Sequence, residues 1–164
     1  MEARINTRNV AYMEGIQALL GVQHYIEKSG LEQSLLDLVV MRASQINGCA
    51  YCLDMHWKDA KASGETDQRL YGLDAWEESP YYTKRERAAL HWAEAVTKLT
   101  ESHVPDEAFE AVRKEFSEKE IVDLTIAIGM INLWNRLNIA NRTVPGKYVS
   151  PRKPVPAEAM AASR

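Results

Sequence analysis

Residues 31–46 carry Leu31, Leu35, Leu36, Leu38, Val39, Val40 and Met41, apolar almost all round at helical spacing, and the pattern stops at Asn47-Gly48. It resumes at Cys49 and runs out near Ser63-Gly64. A helix that is apolar on every side belongs in a core, so the first segment predicts a buried helix. The Asn-Gly break predicts a new helix start, with Asn47 or Gly48 as its cap. The chain has two cysteines, Cys49 and Cys52, and both fall at that start, with His56 four positions further on. At about 100° per residue, a helix over 49–62 places the three within roughly 60° of one another. Two thiols and an imidazole then share one face near a helix N-terminus, whose partial positive charge favours a thiolate.

The rest of the chain reads as helices joined by short punctuation. Val10, Met13, Ile16, Leu19, Leu20 and Ile26 predict a helix over 6–28, ended by Ser29-Gly30. A short helix is expected over 66–72 and a loop over 74–82, with Trp76 and Pro80. Thr83-Lys-Arg-Glu86 has the form of a capping box and opens a helix lasting to about Thr100. Pro105, in a first turn, starts a shorter helix to Phe116. Ser117-Glu-Lys-Glu120 is a second capping box, opening the longest helix, 118–140. No segment alternates with period 2, so the fold class is all-α. After Asn141, Pro145, Gly146, Pro151, Pro154 and Pro156 forbid a continuing helix. The division is a helical domain over 1–144 and a Pro-rich tail over 145–164, extended and either clasping a neighbouring subunit or partly disordered.

Composition narrows the function. At 164 residues one domain with a real core is expected. A net charge of -3, without a long Lys/Arg run, gives no sign of a nucleic-acid partner. No apolar stretch reaches the roughly 18 residues of a membrane span, and Met-Glu-Ala-Arg-Ile-Asn lacks the apolar heart of a signal peptide. A cytoplasmic protein is expected. Two cysteines do not make a disulfide scaffold, and in a reducing compartment C-x-x-C means redox cycling or metal. Structural zinc needs about four ligands, and only three candidates converge here, so no metal is assigned. The thiols could also be small buried hydrophobes.

Redox chemistry uses the spacing well. A thiolate attacks peroxide or disulfide, and a thiol three residues away closes the resulting sulfenic acid into a disulfide. His56 can accept the thiol proton, and a carboxylate would be needed to orient the imidazole. Asp37 is one candidate, an acid among Leu35, Leu36, Leu38 and Val39 that needs a partner if buried. The helix dipole favours Cys49 as the more acidic thiol, whereas proximity to His56 favours Cys52. His24, His91 and His103 have no such company. Asn132, Asn135 and Asn138 recur every three residues along an apolar helix and must find partners, at a subunit interface or around a pocket.

The stretch Asp37 to His56, above all Arg42-x-Ser44-Gln45-Ile-Asn47-Gly48-Cys49-x-Tyr51-Cys52-x-x-x-His56, resembles the core motif of alkylhydroperoxidase AhpD-like proteins. These belong to the carboxymuconolactone decarboxylase superfamily. Ile131-Asn132-Leu-Trp134-Asn135-Arg136 resembles the late helix of its single-core members, extending the likeness over roughly 30–140. The resemblance implies an all-helical fold with C-x-x-C at a helix N-terminus and a homo-oligomer, commonly a trimer or hexamer. It also implies a Glu, Cys, Cys, His relay without a cofactor. Carried over, Cys52 attacks peroxide, Cys49 resolves and His56 relays the proton. Asp37 stands where the family has its glutamate, one methylene shorter. Tyr51 stands where the founding enzyme has a histidine.

The activity so implied is hydroperoxide or disulfide reduction, recharged by an external dithiol. The family suggests a dihydrolipoamide-type reductant and a peroxiredoxin partner. Two alternatives remain at this point. A decarboxylase acting on a muconolactone-type acid does not require the thiol pair, and an oligomeric redox sensor would need no turnover.

Overall fold

The computed structural model describes residues 2–5 and 12–152. Among these there are eight α-helices and no strand. They are α1 (Met13–Glu27), α2 (Gln33–Asn47), α3 (Ala50–Ala62), α4 (Asp67–Tyr71), α5 (Lys84–Thr97), α6 (Leu99–Ser102), α7 (Asp106–Val112) and α8 (Glu118–Ala140). A single 3-10 turn, Gly72–Ala75, follows α4.

α2 is the central element, which explains why its sequence is apolar all round. One side packs Leu35, Leu36 and Val39 against Ile26 of α1, Ala89, Trp92 and Ala93 of α5, Val112 of α7 and Leu124 and Ile128 of α8. The other packs Leu38 and Met41 against Ala60, Leu70, Leu73, Trp76, Tyr82 and Leu90. Removing this apolar surface from water on two sides is the main force holding α2 in place. The buried polar residues of α2 are each satisfied. Arg42 donates from Nε to Glu94 at 2.7 Å and pairs with Asp74, while Glu94 also accepts from the Trp76 indole at 2.7 Å. Arg42, which belongs to the sequence motif around the cysteines, therefore ties α2 to α5.

Both capping boxes are present. Thr83 accepts from Glu86 N–H and Glu86 returns to Thr83 N–H; Ser117 and Glu120 do the same. α8 starts and stops where its sequence pattern does. Several boundaries differ. α1 begins at Met13, and residues 6–11 of the expected helix lie outside the described residues. The helix after Thr83 stops at Thr97, Lys98 leaves helical geometry at φ -91°, ψ 33°, and α6 is a separate turn. Pro105 is the N-cap of α7, not a first-turn residue, and α7 ends at Val112 rather than Phe116. The cap of α3 is Cys49, not Asn47 or Gly48. Gly48 instead terminates α2 in the left-handed conformation, φ 68°, which glycine adopts without Cβ strain.

Where it is described the tail has neither helix nor strand. It lies on the chain's own α3: Lys58 Nζ donates to the carbonyls of Gly146 (3.2 Å) and Tyr148 (3.1 Å), and Gly146 N–H donates to Asp54 Oδ2 at 3.0 Å. Residues 153–164 are outside the described residues. No helix among the described residues is long and apolar enough to cross a membrane.

Candidate functional site

The left-handed turn at Gly48 returns Cys49 N–H to Ser44 O at 3.0 Å and swings the chain directly into α3. Cys49 then caps α3, its Sγ accepting from Cys52 N–H at 3.4 Å. Sulfur occupies the place of a capping oxygen, so helix formation itself fixes the thiol geometry. Cys49 and Cys52 form a disulfide, with Cα atoms 5.3 Å apart. Both are about 1% exposed and pack against Ala43 and Ile131, with Val40, Tyr51 and Trp134 around them.

The two sulfurs are not equivalent. A cavity of about 970 Å³ opens between α1, α2, α3, α8 and the tail, and Cys52 lines it. Cys49 is not among its lining residues. Leu36, Val40, Ile131 and Trp134 give the cavity an apolar interior, and His56 and Asp37 also face it.

His56 sits on α3 one turn beyond Cys52. Its Nε2 is buried and has no hydrogen-bond partner among the described residues. Burial pushes the imidazole down to about 4, opposed by the Asp59 carboxylate and reinforced by the Arg152 guanidinium. At neutral pH the ring is therefore uncharged with Nε2 open to accept a proton, and the same burial makes it a weaker base than a free imidazole.

Asp37 is buried, as its apolar surroundings in the sequence suggest, and its partners are Gln33 Nε2 at 2.9 Å and Arg152 at 2.7 Å. Neither of these is His56. Burial raises the Asp37 carboxyl above its ordinary value, although Arg152 and Gln33 pull it the other way. A second buried carboxylate, Asp59, accepts from the Tyr148 hydroxyl at 2.9 and 3.1 Å and also lines the cavity.

Close to the cysteines, the buried Asn132 and Asn135 of α8 find the partners that their burial demands. Asn47 Nδ2 donates to Asn132 and Asn135 at 2.9 and 2.8 Å, and Asn135 donates to Ser44 Oγ at 3.1 Å. This clamps the end of α2 to α8 just before the Gly48 turn. Asn138 reaches the site itself, with Nδ2 3.6 Å from Cys52 Sγ.

Cys49, Cys52 and His56 are thus brought together at one helix, whereas Asp37 lines the cavity with Cys52 and His56 but bonds to neither. Asp59, Tyr148, Arg152 and the contact of Asn138 with sulfur were not anticipated. Asp59 could have been found, because it lies three residues after His56 on the same helix face. Tyr148 and Arg152 carry no local signal, since only tertiary packing brings the tail to α3. Among the described residues no cluster of three or more His, Cys, Asp or Glu side chains is arranged to hold a metal.

The carboxymuconolactone decarboxylase family pattern matches residues 11–95. YdfG of Bacillus subtilis (strain 168), an uncharacterised protein, is 40% identical over 140 residues, spanning 85% of this chain and 95% of YdfG. The crystal structure of a protein of unknown function from Agrobacterium tumefaciens, proposed as an AhpD antioxidant-defence protein, is 44% identical. It superposes with a TM-score of 0.86 over 90% of this chain and all of that one. The debrominase Bmp8 shares the fold at 23% identity and a TM-score of 0.72, over 79% of this chain and 70% of that one. With its all-helical architecture and paired cysteines at the start of α3, the chain belongs to the carboxymuconolactone decarboxylase family and is AhpD-like within it.

Proposed function

We propose that the protein is a thiol-dependent hydroperoxidase. The observation that carries this reading is the disulfide whose outer sulfur, Cys52, shares a cavity with an uncharged His56 that has a free buried nitrogen. In the reduced protein His56 takes the Cys52 proton. The thiolate attacks the terminal peroxide oxygen, the O–O bond breaks, and the leaving alkoxide takes the proton from His56. Cys52 is now a sulfenic acid. Cys49 attacks its sulfur, the S–S bond forms, and hydroxide leaves as water with the Cys49 proton. Each cycle converts one hydroperoxide to an alcohol and water, and oxidises two thiols. An external dithiol returns the two electrons and becomes a disulfide. A lipoyl-type dithiol is a reductant of the required chemistry. In this mechanism Asp37 acts by holding Arg152 at the cavity.

The same reading includes assembly into a homo-oligomer, a trimer or hexamer. It is supported by exposed apolar side chains on α1 (Leu20, Val22, Tyr25) and α8 (Val122, Leu133, Ile139).

The test is steady-state consumption of cumene hydroperoxide with dihydrolipoamide or dithiothreitol as reductant. Wild type is expected to turn over, and Cys52→Ser and Cys49→Ser to lose turnover. Equal rates in all three proteins would remove the thiols from the mechanism.

A further inference from the structure

The tail borders the thiol cavity and contributes Thr143, Val144, Lys147, Tyr148, Pro151 and Arg152 to its lining. Its two strongest anchors are spent on buried carboxylates. Arg152 spans from Asp37 Oδ2 (2.7 Å) to Ser63 Oγ (2.9 Å), and Tyr148 donates to both oxygens of Asp59. Asp37 and Asp59 come from different helices, α2 and α3, and flank the cavity that holds His56 and Cys52. Two carboxylates on one apolar cavity are costly unless each is paired. The tail supplies a partner to each.

We propose that segment 143–152 is a working part of the thiol site, with Arg152 and Tyr148 as positioning residues. Their pairing with Asp37 and Asp59 fixes the charges lining the cavity that His56 and Cys52 share, and so sets the readiness of His56 to take the Cys52 proton. The inference rests on the thiol reading above.

The groups that reach this cavity are Glu27 from α1, Asp37 from α2, Tyr51 and Asp59 from α3, and Lys147, Tyr148 and Arg152 from the tail. α8 contributes only uncharged side chains to it, among them Trp134 and Asn138. The charges that act on His56 are Asp59 and Arg152, and they act in opposite directions. Asp59 favours the imidazolium and Arg152 disfavours it.

The experiment follows the His56 ring protons by NMR across pH in the reduced full-length protein. The Cys52 alkylation rate is measured in parallel, for wild type, Arg152→Gln, Arg152→Lys, Asp59→Asn and Tyr148→Phe. Arg152→Gln is expected to move the His56 titration to higher pH by about half a unit or more, roughly a threefold change in proton affinity. Arg152→Lys should return it towards wild type. Asp59→Asn should move it to lower pH, and Tyr148→Phe in the same direction by less, because Asp59 loses its donor. Arg152→Gln lies on an outer segment and spares the helical core, so its circular dichroism should match wild type. An unmoved titration in Arg152→Gln, or movement in one common direction for Arg152→Gln and Asp59→Asn, overturns the proposal. Peroxide turnover by the wild type is scored separately. Opposed shifts without turnover would sink the peroxidase reading alone, and turnover with unmoved titrations would sink this inference alone.

Discussion

Asn138 holds its Nδ2 3.6 Å from Cys52 Sγ while the same amide donates to Trp134 O at 2.9 Å. The second bond fixes the side chain, so the N–H aimed at sulfur is in place before any thiolate forms. A donor to a charged acceptor contributes about 1.5–3 kcal/mol. Asn138→Ala is therefore expected to slow peroxide turnover on the order of tenfold and to move the onset of Cys52 alkylation to higher pH. Alkylation profiles of the two proteins, compared after reduction, check this. Superimposed profiles would make the amide a packing residue.

The exposure of Cys52 to the cavity, with Cys49 behind it, predicts the order of attack. Brief peroxide treatment of Cys49→Ser should leave a sulfenic acid trappable by dimedone on Cys52, because its resolving thiol is gone. Cys52→Ser should show little trapping on Cys49. Mass spectrometry of the adducts reads this directly, and the reverse pattern would exchange the two roles.

His56 predicts a pH dependence of stability whose sign is fixed. Its folded value, about 4, lies below its ordinary value of 6.5. Between these the unfolded chain binds a proton that the folded chain does not, so stability rises with pH across this window. The effect is on the order of 2 kcal/mol after allowance for the partial exposure of the ring. Thermal melts of wild type and His56→Gln from pH 4 to 7 should diverge towards the acid end, with wild type losing more. Parallel curves would mean that the imidazole is not held neutral by burial.

The sequence is most legible where the physics is local. Thr83–Glu86 and Ser117–Glu120 satisfy orphan N–H groups within one turn, and both capping boxes form. The all-round apolar α2 becomes the helix with a core on two sides. The Asn47-Gly48 break marks the correct place, but its residues are used differently. Gly48 ends α2, Asn47 turns its amide to α8, and sulfur caps α3. The charged surroundings of the thiols were the least legible. Asp37 was visible as a buried acid, whereas Arg152, 115 residues away, is paired with it by tertiary packing alone. A Pro-rich composition says that 143–152 is not helical and says nothing of what it lies against.

The apolar side chains left on the outer faces of α1 and α8 predict association. Val22 is 37% exposed and Val122 57%, on helices that pack against each other by their inner faces. Sedimentation at micromolar concentration should give a species well above the 18.6 kDa of one chain. Val22→Glu combined with Val122→Glu should shift it towards the monomer. A wild type that sediments only as monomer would contradict the assembly.

The central claim is that Cys49 and Cys52 together deliver two electrons to a hydroperoxide, and a single-turnover stoichiometry tests it most directly. The protein is reduced, freed of reductant and mixed anaerobically with one equivalent of cumene hydroperoxide. Free thiols and cumyl alcohol are then counted over time. The account predicts two thiols lost for each alcohol formed, with the Cys49–Cys52 disulfide recovered by peptide mapping. Alcohol formed with both thiols intact, or thiols that persist beside unconsumed hydroperoxide, would contradict it.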